Sequence, residues 1–296
     1  MNLAFEAQRH ALGDGVAIQS YCAGQGPAVV MLHGYPQNHR ACLPVAQLLA
    51  AHFSLVLLDL RGYGDSTGPA PDAQLQPYSK RAVAGDVARV MQALGHERYA
   101  VVGHDRGGRV AHRLALDFPD RVQALASITV IPTEEMWDRA SFGFGMQAWH
   151  WFMLAQAAPL PEVLLARDPA FFLEHTLHKM AQGRDFLKAQ SLTDYHRCFA
   201  RPEVRLAMIE DYRAAAGIDR THDQVDRAAG RRLAQPVHVL WERGRYASGE
   251  TPVDIWRRWT SGEVTGAPVA AGHLMMEEKP DEVAQQLLPF LQLHTA

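Results

Sequence analysis

One short segment combines a carboxylate with the glycine spacing of a sharp turn. Asp105 lies between Gly103 and Gly107, after the apolar run that ends in Val101-Val102 and before a helical pattern. In a nucleophile elbow, the middle residue of such a small-x-acid-x-small segment occupies a tight strand-to-helix turn and exposes its side chain above the sheet. Asp is also favoured at helix N-termini, where it only caps the backbone. Taken alone, the segment favours the capping role.

Two histidine–glycine pairs change that balance. His33-Gly34-Tyr35-Pro36 follows an early apolar run, where the loop that stabilises an oxyanion would lie, and Gly272-His273 follows the last strand-like segment. The chain order is therefore nucleophile and then base, as in enzymes that use an elbow on an open sheet. Each pair is a weak signal by itself, but the three segments in this order favour a catalytic Asp105.

An aspartate nucleophile restricts the reaction. Attack on an acyl group would give a mixed anhydride, whereas attack on a saturated carbon gives an ordinary ester and expels a leaving group. Water deprotonated by a neutral His273 would then hydrolyse the ester, and the backbone N–H groups of Tyr35 and Arg106 would stabilise the oxyanion. The leaving group would be a halide or the oxygen of an opened epoxide.

Two arginines follow the aspartate in the first turn of the predicted helix. Arg106 and Arg109 are placed where a cation opposes the helix dipole. A carboxylate on the substrate would supply the missing partner and would hold the reacting carbon near Asp105. The alternative is that both arginines neutralise Asp105 and other acids without binding a ligand.

Alternating short apolar runs and longer helical patterns must position these side chains. The predicted strands are Val16–Tyr21, Ala28–Leu32, Leu55–Leu60, Tyr99–Val102, Val122–Ile131, Pro236–Trp241 and, weakly, Ala267–Ala271. The predicted helices are Ser79–Leu94, Arg106–Phe118, Pro252–Thr260 and Asp281–Leu293. Such alternation predicts an α/β fold with a mostly parallel sheet flanked by helices.

Residues 132–232 break the alternation, because no continuous strand-like run occurs there. Three of the six tryptophans, Trp137, Trp149 and Trp151, fall near the start of this stretch. We predict a helical cap over residues 132–232, above the carboxyl edge of the sheet. Residues 1–131 and 233–296 would form the core domain.

Composition excludes several classes of protein. The 296 residues carry 29 basic and 32 acidic side chains, a formal charge of −3, so there is no cationic footprint for nucleic acid or an anionic membrane. Three separated cysteines, Cys22, Cys42 and Cys198, argue against a disulfide framework and for a reducing compartment. Without a visible targeting or membrane segment, we expect a soluble, cytoplasmic protein. The pair His175 and His178 has no third ligand spaced nearby, so we expect no metal site.

Further segments, spread over most of the chain, are informative as a set. They are Gly103-His104-Asp105-Arg106-Gly107-Gly108-Arg109, His112-Arg113-Leu114-Ala115-Leu116-Asp117, His33-Gly34-Tyr35-Pro36-Gln37, Arg61-Gly62-Tyr63-Gly64-Asp65-Ser66, His150-Trp151, Ala158-Pro159-Leu160-Pro161 and Asp211-Tyr212-Arg213-Ala214. In these segments the chain resembles the α/β-hydrolase superfamily and, within it, the fluoroacetate (haloacetate) dehalogenases. The resemblance implies an α/β-hydrolase fold with a cap inserted after the sixth strand.

The resemblance also implies roles for single residues. Asp105 would be the nucleophile and His273 the base, and Arg106 with Arg109 would hold the carboxylate. The departing halide would accept hydrogen bonds from His150, Trp151 and Tyr212. Converging donors suit fluoride, which is small, hard and a poor leaving group. A core role for Trp151 is the alternative.

Thr129 is one departure from the family's pattern, which has an acid after the sixth strand at this position. That acid orients the base histidine, and its replacement by a neutral amide costs about 10⁴-fold in rate in a serine protease. Some relatives place the acid after the seventh strand, where the usual position here holds Arg245. Glu242 is a candidate substitute, although a surface salt bridge is its commoner role. A natural variant with another acid, a slowed enzyme and a deliberate substitution all fit this sequence.

Met180 is a second departure, since the cap of the family has a tryptophan near this position. A flexible thioether in place of an indole would leave a roomier pocket. We therefore expect acids larger than haloacetate, with α-substituents, to fit.

These observations predict a hydrolytic dehalogenase of short 2-haloacids that works through an ester on Asp105 and needs no cofactor. One alternative is an epoxide hydrolase, which would need two cap tyrosines to protonate the epoxide oxygen; Tyr212 could be one of them. The other is a binding protein for small carboxylates without turnover, to which Thr129 lends weight. The resemblance also implies a homodimer.

Overall fold

The computed structural model of the chain describes residues 3–246 and 249–295. The described residues form one sheet of eight strands and fourteen α-helices. The strands are β1 (Glu6–Gly13), β2 (Val16–Ala23), β3 (Ala28–Leu32), β4 (Ser54–Leu58), β5 (Tyr99–His104), β6 (Val122–Ile128), β7 (Val237–Glu242) and β8 (Val264–Val269). The helices are α1 (Leu43–Leu49), α2 (Lys80–Ala93), α3 (Arg106–Asp117), α4 (Thr133–Asp138), α5 (Phe142–Gln147), α6 (Trp149–Leu154), α7 (Leu160–Arg167), α8 (Pro169–Met180), α9 (Ala189–Phe199), α10 (Pro202–Ala216), α11 (Ile218–Ala228), α12 (Pro252–Arg257), α13 (Met275–Glu278) and α14 (Pro280–Thr295).

The sheet has the order β1-β2-β4-β3-β5-β6-β7-β8 and is mostly parallel. Only the pairs β1–β2 and β2–β4 are antiparallel, so the carboxyl ends of β3 to β8 meet at one edge. Along β3, Val30 and Leu32 pack against one hydrophobic cluster, and Val29 and Met31 pack against the other. This alternation explains the continuous apolar run, because helices cover both faces of the strand.

The α/β fold predicted from the sequence is confirmed, with differences at some element ends. Ala28–Leu32 has the predicted bounds, but the predicted strand Val122–Ile131 is too long. It ends at Ile128 because Thr129 has a φ of 66°, which takes the chain out of extended conformation. Strand β8 starts at Val264 rather than Ala267.

Hydrophobic patterning does not reveal strand β1, because most of its side chains are exposed and it lacks an apolar run. The signal that could have found it is Asp14-Gly15, between β1 and β2, since an Asp-Gly pair is typical of a tight hairpin turn.

Helices alone, α4 to α11, connect β6 to β7 in a stretch that is described without a gap. Buried polar contacts join this connection to the sheet domain. In α10, Asp211 accepts a hydrogen bond from the hydroxyl of Tyr63 at 3.0 Å and pairs with Lys80 of α2. In α9, Tyr195 donates to Glu277 of α13 at 3.1 Å. Among the described residues, no helix is long and apolar enough to cross a membrane.

Candidate active site

Asp105 occupies a strained turn between β5 and α3. Its φ is 49° and its ψ is −114°, a conformation that L-residues with a side chain rarely adopt. A Cβ atom at Gly103 would overlap the carbonyl of Gly107, and one at Gly107 would overlap the carbonyl of Leu32. The two glycines are therefore needed for backbone packing around the turn, as the elbow interpretation requires.

The carboxylate of Asp105 is held at both oxygens. Oδ1 accepts a hydrogen bond from the backbone N–H of Tyr35 at 2.9 Å, and Oδ2 lies 3.4 Å from Nε2 of His273. A side chain at Gly34 would overlap the Asp105 carboxylate, which explains the glycine before Tyr35. Burial disfavours the charge, but the His273 contact holds the pKa of Asp105 well below its usual value. Asp105 is thus an ionised carboxylate at the carboxyl edge of the sheet.

His273 lies between two carboxylates. Its Nε2 faces Asp105, and its Nδ1 lies 3.4 Å from Oε1 of Glu242 at the end of β7. Burial alone would lower the pKa of the imidazole, but the two carboxylates raise it to about 9. At neutral pH, His273 is therefore protonated while Asp105 keeps its charge.

Glu242 supplies the acid that faces His273. Burial opposes its charge, yet the contacts with His273 and Arg245 lower the pKa of its carboxyl to about 2. Of the two roles that the sequence offered for Glu242, substitute acid or surface salt-bridge partner, the contact with His273 favours the first. The salt bridge to Arg245 exists, at 2.8 Å, but the same carboxylate also faces the imidazole of His273. The sequence signal for this role is the position of Glu242 at the carboxyl end of a buried strand, at the edge of the sheet where Asp105 also lies.

Thr129 lines the same cavity from the end of β6. Its Oγ1 is buried and has no hydrogen-bond partner among the residues that the structure describes. A threonine hydroxyl cannot carry the charge that an acid would place there. The carboxylate beside His273 therefore comes from β7 rather than from β6.

A cavity of about 630 Å³ lies between the carboxyl edge of the sheet and the helices α4, α5, α6 and α8. The sheet domain contributes Asp105, Arg109 and His273 to its lining, and the helical connection contributes His150 and Trp151. These five residues, all selected from the sequence, are therefore brought together around one space.

Arg109 presents a cation to this cavity. One guanidinium nitrogen donates to the carbonyl of Ile131 at 3.0 Å, and Nε has no partner within the described part of the chain. The guanidinium carbon lies 4.8 Å from the centre of a Trp151 ring. Burial and the neighbouring Arg106 lower the pKa of Arg109 to about 10, so it stays charged at neutral pH.

Arg106 is placed differently from the expectation that both arginines reach the ligand. Its side chain is fully buried and is not part of the cavity lining. Nε pairs with Asp211 at 2.5 Å, and Nη2 donates to the Asp211 carbonyl at 2.8 Å. Despite burial, Asp211 raises the pKa of Arg106. Only Nη1 lacks a partner among the described side and main chains.

Four aromatic rings pack beside Asp105. His150 stacks on Tyr35 at 5.7 Å between ring centres, and Tyr212 lies 5.8 Å from His150 and 5.9 Å from Trp151. Tyr35 and Tyr212 are fully buried behind the cavity wall. The hydroxyl of Tyr212 has no hydrogen-bond partner in the described structure.

These rings are neutral at neutral pH. Burial lowers the pKa of His150 to about 3 and raises that of Tyr212 well above its usual value. His150 therefore offers a neutral imidazole and Tyr212 an intact phenol, and both can donate a hydrogen bond to an anion.

Helix α8 lines the other side of the cavity with Thr176 and Met180. Thr176 was not selected from the sequence, where a single threonine in a helix carries no signal. His178, paired with His175 in the sequence, is not part of the lining. Within residues 3–246 and 249–295, no group of three or more His, Cys, Asp or Glu side chains is arranged to hold a metal ion.

Comparison with known proteins agrees with this geometry. The family profile of the alpha/beta hydrolase fold matches residues 27–280, so the chain belongs to the α/β-hydrolase fold family. A fluoroacetate dehalogenase of Burkholderia sp is 37% identical over 290 residues, which cover 97% of this chain and 94% of the relative. A soluble epoxide hydrolase of Corynebacterium sp. is 27% identical over 283 residues, which cover 95% of each chain.

Solved structures point to the same family. A Pseudomonas aeruginosa protein, provisionally named an epoxide hydrolase, superposes with a TM-score of 0.93 at 47% identity. The match covers 98% of this chain and 96% of that one. The resemblance to the α/β hydrolases and to a fluoroacetate dehalogenase is thus confirmed, and together these likenesses support a hydrolase.

Proposed function

We propose that the protein hydrolyses the carbon–halogen bond of short 2-haloacids through an ester on Asp105. The observation that carries the proposal is one cavity that joins an ionised carboxylate on an elbow, the His273–Glu242 pair and the cation of Arg109. A carboxylate nucleophile selects attack on a saturated carbon, and the cation selects a substrate that is itself an acid.

In the first step, Arg109 binds the substrate carboxylate and thereby places the α-carbon near Asp105. An oxygen of Asp105 attacks this carbon, the carbon–halogen bond breaks and the halide leaves with the bonding electrons. The N–H groups of His150 and Trp151, which line the cavity, donate hydrogen bonds to the departing halide, and the unpartnered hydroxyl dipole of Tyr212 adds to them from behind the wall. Arg106 adds positive charge from behind the wall, where Asp211 holds it.

In the second step, the ester on Asp105 is hydrolysed. Esterification removes the negative charge of Asp105, so the pKa of His273 falls from its resting value of about 9. Neutral His273 can then take a proton from water, whose oxygen attacks the ester carbonyl. The N–H of Tyr35, which holds Asp105 Oδ1 at rest, stays in place to stabilise the oxyanion. Glu242 stabilises the imidazolium that forms.

The cavity suits acids larger than haloacetate. Its volume of about 630 Å³ exceeds what an acid with two carbons fills, and the flexible Met180 forms part of the wall. We therefore extend the proposed substrates to 2-haloacids with an α-substituent. In a series of increasing size, kcat/KM should peak beyond haloacetate; a peak at haloacetate would contradict this extension.

Epoxide hydrolysis is the second candidate. The buried phenol of Tyr212 favours it, because an unpartnered hydroxyl beside the nucleophile could protonate an epoxide oxygen. A soluble epoxide hydrolase is also among the relatives. Two observations count against it. An epoxide hydrolase would need two tyrosines from the helical connection, but of Tyr35 and Tyr212 only Tyr212 belongs to it. Arg109 would also have no role with a neutral epoxide.

A combined assay separates these functions from binding without turnover. The protein is incubated with chloroacetate, fluoroacetate, 2-chloropropionate or a neutral epoxide, and halide, diol and intact protein mass are followed together. If the protein is a dehalogenase, each enzyme molecule should release many halide ions. Asp105→Asn, which keeps the shape of the side chain but removes the nucleophile, should release none. Diol without halide would support the epoxide hydrolase, and neither product would contradict both.

We also propose that two copies associate. The resemblance implies a homodimer, and several large apolar side chains of the helical connection are exposed, among them Phe142 at 86% and Phe171 at 65%. Exposed apolar patches are typical of protein–protein contacts. Light scattering that gives the mass of one chain at micromolar concentration would contradict the dimer.

A further inference from the structure

The turn after β7 brings a cation onto the carboxylate that faces the base histidine. We propose that Arg245, by sharing the carboxylate of Glu242, allows His273 to lose its proton and act as the base in ester hydrolysis. Arg245 is thus a positioning residue that acts through Glu242. The inference rests on the proposed function, since it concerns the second step of that reaction.

The geometry centres on one oxygen atom. Oε1 of Glu242 accepts a hydrogen bond from Nη1 of Arg245 at 2.8 Å and lies 3.4 Å from Nδ1 of His273. The backbone fixes this arrangement, because the N–H of Arg245 donates to the carbonyl of Glu242 at 3.1 Å. A permanent cation and a titrating imidazole therefore compete for the same oxygen.

The groups that face His273 come from four elements. Asp105 and Glu242 are the carboxylates, His104 lies 5.1 Å away between ring centres, and His150 approaches from the helical connection. The two histidines are neutral, since burial lowers the pKa of each. In the resting protein, two carboxylates thus keep His273 protonated.

Once Asp105 is esterified, Glu242 is the remaining anion beside His273. Without Arg245, Glu242 would stabilise the imidazolium of His273 more strongly. It would therefore delay loss of the proton on Nε2, which His273 must lose before it can act as a base. Arg245 partly cancels the charge of Glu242, so the imidazole loses its proton nearer to neutral pH. Water then gives a proton to Nε2 while its oxygen bonds to the carbonyl carbon of the ester. The bond from this carbon to the alkoxide oxygen breaks, and the departing alkoxide takes the proton from His273.

The expected size of the effect is moderate. An opposite charge in direct contact shifts a pKa by one to three units. The effect of Arg245 on His273 is smaller, because Arg245 acts through Glu242 and its side chain is 32% exposed to solvent. We therefore expect removal of Arg245 to raise the apparent pKa for ester hydrolysis by about one unit, which is about a tenfold lower rate on the acidic side.

The test compares Arg245→Met with Arg245→Lys and with Arg98→Met, a control change at an exposed arginine before β5 that is not part of the cavity lining. Each protein is mixed with a limiting 2-haloacid, and the covalent adduct is followed by intact mass from pH 5 to 10. Arg245→Met should raise the midpoint of adduct hydrolysis by about one unit and leave the first halide burst and KM unchanged. Arg245→Lys should keep the wild-type midpoint, and so should Arg98→Met.

Two results would overturn the inference. One is an unchanged midpoint in Arg245→Met. The other is a raised KM with normal adduct hydrolysis, which would show that Arg245 binds substrate. Arg245→Lys keeps the test valid if the methionine variant fails to fold, because a shifted midpoint there, with the charge retained, also contradicts the inference. Absence of a halide burst in the wild-type protein would instead refute the proposed function itself.

Discussion

Replacement of Glu242 by glutamine tests the acid at the end of β7 with almost no change in shape. The amide keeps the volume of the side chain and its place in the turn but removes the charge 3.4 Å from Nδ1 of His273. We expect ester hydrolysis to slow, because the imidazolium formed in that step loses its stabilising anion. The displacement step should be little affected, since it transfers no proton.

The magnitude follows from the contact. A neutral amide in place of the orienting acid costs about 10⁴-fold where that acid is buried and closely bonded to the histidine. Here the contact is 3.4 Å, longer than a normal N–H···O bond, and Arg245 shares the oxygen. We therefore expect a loss of about 10³-fold, or about 4 kcal/mol.

The assay is a burst experiment with halide detection and intact mass. Glu242→Gln should release about one halide per enzyme and accumulate a stable adduct, which is heavier than the free protein by the mass of the haloacid minus that of the hydrogen halide. Glu97→Gln, a change at an exposed residue before β5, is the matched control and should turn over normally. Normal turnover without an adduct in Glu242→Gln would refute the assignment of the acid.

A second variant asks whether the β6 position can still carry the acid. The φ of Thr129 is 66°, a conformation that Asp adopts more readily than a β-branched residue. Combining Thr129→Asp with Glu242→Gln should therefore restore at least about tenfold of the lost hydrolysis, because an orienting carboxylate is regained. If the double variant is no faster than Glu242→Gln, a carboxylate at position 129 does not reach His273.

Three further changes test other parts of the site and fold. Arg109→Met should raise KM for a 2-haloacid by about 30-fold, or about 2 kcal/mol, with a smaller change in kcat, because a charge-assisted contact to the carboxylate is lost; steady-state kinetics measure this. Tyr212→Phe should lower kcat/KM for fluoroacetate more than for chloroacetate, since fluoride needs hydrogen-bond donors most; an unchanged ratio would count against the halide contact. Burial raises the pKa of Glu277 from 4.5 to about 7, so the folded protein binds this proton more tightly than the unfolded chain and loses stability as pH rises between these values. Glu277→Gln should then gain melting temperature relative to wild type as pH rises from 5 to 8, and a difference independent of pH would contradict this.

Much of the sheet could be predicted from the sequence because buried strands need continuous apolar runs. Ala28–Leu32 is covered by helices on both faces, and its run has the observed bounds. The same reasoning failed at β1, which lies at the edge of the sheet and carries exposed side chains. It also failed after Ile128, since the φ of Thr129 depends on the turn and not on hydrophobicity.

The candidate site divides in a similar way. Asp105 was predictable because the turn itself demands glycines two residues before and after it. The partner of Arg106 was not, because Asp211 lies 105 residues further along the chain and is brought near only by the fold. Glu242 shows the intermediate case, in which the strand end was visible but the distance to His273 was not. A sequence indicates which residues a local turn requires, but it does not indicate which distant residues pair in the fold.

The buried cluster of Arg106, Lys80 and Asp211 has a consequence for how solutes reach the cavity. Lifting helix α10 from the sheet would leave charges of this cluster buried without partners, which costs several kcal/mol. Exchange of solutes between the cavity and bulk water must therefore pass elsewhere. Gln147 of α5, Lys179 of α8 and Gly244 of the turn after β7 line the cavity and are themselves exposed, so the cavity meets water between these three segments. Residues of these exposed segments, rather than those of the buried cluster at α10, would then govern how fast products leave the cavity.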